Sequence, residues 1–329
     1  MKRNLLAILC VSLLSVGFVF AQENHGRMEA KYLFSYGPPG SSIELSQPQQ
    51  IRSDGSSGEI YICDTGHSRI VILDSKGLFL FEFSNSEVLR SPRDVAVDSE
   101  GKIYVLGSAV PESPIIVFDY NGEYLHPLRF QGGPDLSSMA MASMVMDGAN
   151  RLFILDENGA RILSYDWLGD FVSEITLMPE SSAEERDRQV WGKLALAGED
   201  ILLPAPMDGT VYCYGRDGIL KKAFGHRGDG YGEFSFPIAA TLDAQQNIYA
   251  LDKHKGLIIS FSQTGKVREE IGRYGLGPGY FYHPIALLAD DDGRVWVAQG
   301  YKDLVQVFQL SAPAEVAPLA PQEPVVVDN

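Results

Sequence analysis

The sequence predicts an all-β fold, a six-bladed propeller, from three observations. One phrase recurs six times at near-constant spacing, each recurrence breaks into short strands between Asp/Gly turns, and the two ends of the repeating region complement each other. The recurrence appears when Ile60 of EIYICD is set beside Ile103 of KIYVLG, Leu152 of RLFILD, Ile201 of DILLPA, Ile248 of NIYALD and Val295 of RVWVAQ, at steps of 43, 49, 49, 47 and 47 residues. A helical solenoid of that period would show a 3.6-residue rhythm, and these units show none.

Within the units, AVDSEGKIYV reads as strand, turn (Asp98 to Gly101) and strand, and IIVFDYNGEYL repeats the device at Asp119 to Gly122. Equivalent turns are expected at Asp74 to Gly77, Asp166 to Gly169, Arg216 to Gly218 and Gln263 to Gly265. IYIC and IVIL are continuously apolar, as middle strands buried on both faces should be. The units close with a strand and a glycine-rich loop, KKAFGHRGDGYGEFSFP and REEIGRYGLGPGYFYHP. YLFSYGPPGSSIELSQP, from Tyr32 to Pro48, has that form with no unit before it, while the last unit stops at LVQVFQL without an outer strand. A strand near residues 32–36 is therefore expected to complete the sixth blade and remove the open seam.

The domain boundaries follow. Residues 1–21 join Lys2 and Arg3 to an apolar run from Leu5 to Phe20 and a small residue, Ala21, the pattern of a cleaved signal peptide. The run is shorter than the roughly 20 residues that span a bilayer, so no stable membrane insertion is expected after cleavage. Residues 22–311 form the propeller, and residues 312–329, rich in Pro and Ala, form a disordered tail. A periplasmic or secreted location is implied. Two departures from the repeat, the insertion GSAVPESP at Gly107 to Pro114 and the segment MPESSAEERDRQVWG, read as surface loops. In the second, Ser182 and Glu185 form a capping-box pattern that could start one helical turn.

Losing Lys2 and Arg3 takes the formal net charge from −16 to about −18, which disfavours nucleic acid and anionic membrane surfaces. Cys63 and Cys213 then remain, on opposite sides of a ring of six, and read as two buried free thiols.

RSPRDVAVDSEGKIYV, CDTGHSRIVILDSKG and FGHRGDGYGEFSFP resemble the NHL repeat, a family known for six-bladed β-propellers. The resemblance runs from about Tyr32 to Leu310 and is weakest at blade four, where LLPAPMDGTVYCYG lacks the usual Asp and Arg. Asp64 corresponds to Asp156 and Asp252, and Arg69 to Arg161, so Asp and Arg at this spacing read as a pair bracing a turn. His67 corresponds to Gly159, and in the family that slot is often Asn. A turn role is expected for it, with no second His or Cys at a metal-like spacing.

Zincin, haem-attachment and nucleophile-elbow motifs are absent, and ADDDGR at Ala289 to Arg294 reads as a β-turn, not a calcium loop. Propellers of the peptidyl-amidoglycolate lyase type resemble this chain and place zinc-binding His after the proline that opens a blade. Here those positions hold Gln49, Arg93, Ile238 and Ile285. The expectation is a non-catalytic scaffold for a protein partner of the cell envelope, or for a glycan. The alternative is a lactonase-like or streptogramin-lyase-like enzyme with a calcium-type ion in its channel.

The candidate binding residues are Arg227, Tyr231, Arg273, Tyr274, Tyr280, Tyr282 and His283, in the loops opening blades five and six, because Tyr and Arg are enriched at interaction hot spots. Phe234 and Phe281 in the same loops are expected to pack the blade junctions. Arg93 joins the candidates at the opening of blade two, where Arg93 and Asp94 read either as channel-mouth residues or as an ion pair.

Overall fold

The computed structural model describes residues 29–37 and 40–311; the leader at residues 1–21 and the tail at 312–329 lie outside them. The described residues form six four-stranded antiparallel sheets. Blade one is Pro48–Ser53, Ile60–Asp64, Arg69–Leu73 and Phe79–Ser84, each strand paired with the next in sequence. Its two middle strands are almost wholly buried, as their unbroken apolar runs require, whereas Phe79–Ser84 is mostly exposed. The first strands of all six blades surround a central channel; Arg52, Val95, Val145, Ala195, Thr241 and Leu288, one from each, line its end on the face opposite the interblade loops.

Apolar cores lie between neighbouring blades. One joins Ile51, Ile60 and Ile62 of blade one to Ala286 and Trp296 of blade six, and another joins Tyr61, Cys63 and Ile70 of blade one to Val95, Val105 and Phe118 of blade two. Each blade thus buries both faces against neighbours, leaving no face of the ring uncovered.

The ring is closed by the first of the described strands. Strand Glu29–Tyr36 pairs antiparallel with the last strand, Leu304–Ser311, with Lys31 opposite Gln309 and Tyr36 opposite Val305. It is longer than residues 32–36 alone, and a bulge between Tyr32 and Phe34 turns the rings of Phe34 and Tyr36 onto Trp296, at centroid distances of 5.9 and 6.4 Å. The Tyr36 hydroxyl donates to the Gly77 carbonyl of blade one, and Arg294 Nη2 donates to Ser75 O. The seam is therefore tied into the blade beyond it.

The expected turns are present, with two corrections of register. The turns assigned to Arg216 and Gln263 open one residue earlier, where Gly218 N donates to Gly215 O and Gly265 N to Ser262 O. Among the described residues helix is nearly absent. Ala183–Asp187 forms a single turn whose N-cap, Ser182, makes the reciprocal capping box with Glu185. Cys63 and Cys213 are buried and unbridged.

Candidate functional site

The antiparallel meander sorts the connections onto two faces. Turns within the first and second halves of each blade lie on one side, and the loops between blades lie on the other with the turns between second and third strands. This second side, the loop face, carries every candidate residue.

The loops opening blades five and six are built alike. Each is pinned by an isolated parallel bridge, Arg227 with Phe234 and Tyr274 with Phe281, and both phenylalanines are fully buried. Gly225 and Gly272 have left-handed φ of +72° and +82°, and a Cβ on either would lie 2.4 Å from the buried ring below. Only glycine fits where the backbone crosses a phenylalanine this closely. The two phenylalanines pack the junctions as the sequence suggests.

In the blade-six loop the exposed ends converge. Tyr274 lies 5.3 Å from Tyr282 and 5.9 Å from His283, ring to ring, and its hydroxyl is 3.4 Å from His283 Nε2. Tyr301, from the turn Gly300–Lys302, completes the patch at 6.0 Å from Tyr282 and 6.1 Å from His283, and is 79% exposed. Cations flank the rings: Lys302 Nζ is 5.6 Å from the Tyr282 centroid, and the Arg273 guanidinium is 5.8 Å from that of Tyr280. Buried Gln306 accepts from Gly279 N at 3.0 Å and donates to Gly277 O and Tyr280 O. Buried Gln299 accepts from Tyr282 N at 2.7 Å. Two glutamines of the closing blade thus hold the aromatic loop from beneath.

The other candidates lie apart from this cluster. Tyr231 turns toward the outer strand of blade five, its hydroxyl donating to Arg268 O at 3.3 Å. Arg227 spans to blade four, with Nη2 3.5 Å from Pro206 O. Arg93 is exposed and lines a cleft of about 850 Å³ with Glu157, Leu136 and Met139.

Arg93 and Asp94 are not an ion pair. Neighbours in an extended strand point to opposite sides. Asp94 is fully buried and is gripped by Arg52 of blade one, which also donates from Nη1 to Leu194 O at 2.8 Å and from Nη2 to Met144 O at 3.0 Å. Ser143 Oγ, Met144 N and Val95 N donate to the same carboxylate. Burial alone would raise the Asp94 pKa, but Arg52, with Lys193 and the Ser143 hydroxyl, holds it below the usual carboxylate value. Four blades are tied together at the channel by this one network.

His67 takes the turn role expected of it. Its Nδ1 lies 2.9 Å from Asp64 Oδ2, the oxygen that also receives Arg69 Nε at 2.7 Å, and Asp156 and Arg161 repeat the pair at 2.9 Å. Asp290 of ADDDGR is engaged by Arg294 and Trp296 in a β-turn. Among the described residues no three His, Cys, Asp or Glu side chains are grouped to hold a metal ion, and no helix is long and apolar enough to cross a membrane.

Known proteins agree with this architecture. Residues 45–73 match the NHL repeat, and residues 82–184 match a domain family described as a 6-bladed beta-propeller. Protein brain tumor of Drosophila melanogaster is 30% identical over 115 residues, 33% of this chain but only 11% of that protein. An auxiliary nutrient binding protein from Bacteroides thetaiotaomicron superposes with a TM-score of 0.62 at 10% identity, covering 87% of this chain and 77% of that one. Virginiamycin B lyase from Staphylococcus aureus superposes with a TM-score of 0.52 at 13% identity, covering 87% and 99%. At such identities the two structures share the fold alone. The chain is a six-bladed β-propeller with an NHL repeat at residues 45–73, its last blade completed by the strand Glu29–Tyr36.

Proposed function

We propose that the protein is an exported, non-catalytic platform that holds a protein partner of the cell envelope against its loop face. The observation that carries this reading is the surface cluster of exposed Tyr274 and Tyr301 with half-buried Tyr282 and His283, flanked by Arg273 and Lys302. Aromatic rings beside cations supply large contact area with polar ends, the composition of interaction hot spots, and the glutamine clamps beneath them reduce the ordering cost of binding. Glycans also stack on such rings, and they are the second ligand class. The basic and apolar start of the chain supports export, and the acidic balance disfavours nucleic acid.

The test is capture of partners from the native envelope fraction by the tagged protein and by a Tyr274→Ala/Arg273→Ala/Tyr301→Ala variant. The variant should lose the captured partner; equal capture by both counts against this face.

A second reading, a propeller lyase or hydrolase with a calcium-type ion in its channel, draws support from the likeness to virginiamycin B lyase along 99% of that chain. Stoichiometric metal in the purified protein, with turnover of a lactone or ester, would favour it.

A further inference from the structure

Arg52 bars the central channel. Its Nε and Nη2 donate to Asp94 of blade two at 3.0 and 2.9 Å, Nη2 also to Met144 O of blade three at 3.0 Å, and Nη1 to Leu194 O, at the entry to blade four, at 2.8 Å. Blades one and four face each other in a ring of six, so the side chain reaches across. The donors of a guanidinium lie in its plane, and partners in three successive blades set that plane across the channel axis. One face of the group therefore looks toward the turns between first and second strands, and the side chain keeps 17% exposure.

On that side lies a cavity of about 260 Å³, floored by Arg52 and walled by Val97, Met146, Leu196, Leu242 and Leu288, with Asp54 and Asp291 at its lip. An adjoining hollow of about 250 Å³ shares those two aspartates and adds Asp290, Asp292 and Arg294. Arg294 is taken up by Asp290 at 2.7 Å and Asp292 at 3.4 Å. Asp291 is exposed, and no described residue engages its carboxylate. Burial alone would raise the Asp54 pKa, but hydrogen bonds from Ser57 and Ser56 hold it below the usual value, so it is ionised at pH 7. Its Oδ1 accepts from Ser56 N and has room for a second donor. Against Arg52, Arg294 and Lys193, which lies within electrostatic range of Arg52, stand Asp54, Asp94, Asp290, Asp291 and Asp292. Negative charge is in excess, and it gathers at the lip, because Asp94 neutralises the floor.

We propose that this end of the channel binds a small primary arylalkylamine. Its ring lies on the face of the Arg52 guanidinium between the aliphatic walls, and its ammonium sits at the lip with Asp54 and Asp291. Guanidinium groups stack on aromatic faces, and enclosed apolar walls with a few polar groups at fixed points are the make-up of small-molecule sites. The cavity opens on the face opposite the aromatic patch, so this reading and the platform reading fail independently.

The probe is 2-phenylethylamine, titrated calorimetrically into the full chain at pH 7 and low ionic strength, with phenylacetate and 2-cyclohexylethylamine as comparisons. Saturable binding of one amine is expected, with phenylacetate not saturating and the cyclohexyl amine binding more weakly. Asp291→Asn should weaken the amine about threefold, the scale of an exposed ion pair. Leu196→Trp, which fills the cavity, should abolish binding, and Tyr274→Ala should leave it unchanged. Asp291 is exposed, so Asp291→Asn reports even if Leu196→Trp disturbs the blade. The proposal is overturned if the amine does not saturate by about 10 mM, a weak-binding limit. It is also overturned if either Asp291→Asn or Leu196→Trp binds the amine as wild type does, or if phenylacetate or the cyclohexyl amine binds as tightly.

Discussion

Arg52 and Asp94 meet across the junction of the first two blades, Nε to Oδ1 at 3.0 Å and Nη2 to Oδ2 at 2.9 Å. Asp94 is fully buried, and Arg52 retains 17% side-chain exposure. Removing one partner strands a buried charge, so Arg52→Met should cost about 3–5 kcal/mol in urea unfolding. Arg52→Met combined with Asp94→Leu should recover a substantial part. A single substitution as stable as wild type would show that the pair does not hold the channel.

The same pair sets an acid limit. The folded Asp94 pKa is lowered from 3.8, so its contribution is full above that unfolded value and is lost as pH falls through the lower folded one. Circular dichroism during acid titration should show wild-type stability falling below about pH 4, the usual carboxylate range. The double variant should fall less steeply over that window; parallel curves would exclude Asp94 as the group responsible.

Two glycines of the aromatic loop separate backbone strain from steric clash. At Gly279, with φ +83°, an added Cβ would meet nothing within 4 Å, so Gly279→Ala should cost only the left-handed penalty of about 1–2 kcal/mol. At Gly272 the added Cβ would lie 2.4 Å from the Phe281 ring, so Gly272→Ala should cost about 2–4 kcal/mol and displace Tyr274. Thermal unfolding ranks the two. Equal losses would mean that Phe281 does not support the loop.

Neither thiol should react in the native protein. Burial pushes the Cys63 thiol well above its ordinary value, with Asp94 adding, and pushes Cys213 up to about 11, with Asp200 adding. A thiol reagent at pH 8 should label both cysteines only in denaturant. Rapid native labelling of Cys63 would place it outside the core between blades one and two.

The ring is legible in the sequence because each blade repeats its own local chemistry. The apolar run at Ile60 returns at Ile103 and Ile248, and Asp64 with Arg69 returns as Asp156 with Arg161, all within a few residues of chain. Ser182 and Glu185 are readable for the same reason. The site is less so, because its contacts cross blades. Tyr301 reaches Tyr282 from a different loop, Gln306 clamps a loop 26 to 29 residues earlier, and Arg52 finds Leu194 across 142 positions. No local pattern marks such partners. Adjacency makes Arg93 and Asp94 look like a pair, but neighbours in a strand point apart, and the true partner of Asp94 lies in the previous blade.

The loop face exists as one surface only if the first strand closes the sixth blade, and a cross-link at that seam tests the closure directly. Lys31 and Gln309 sit opposite each other in the pairing of Glu29–Tyr36 with Leu304–Ser311, within the reach of a disulfide. In a Lys31→Cys/Gln309→Cys variant, oxidation should give an intramolecular disulfide by mass spectrometry and a higher melting temperature. Thiols that stay free, or that link only between molecules, would contradict a closed six-bladed ring.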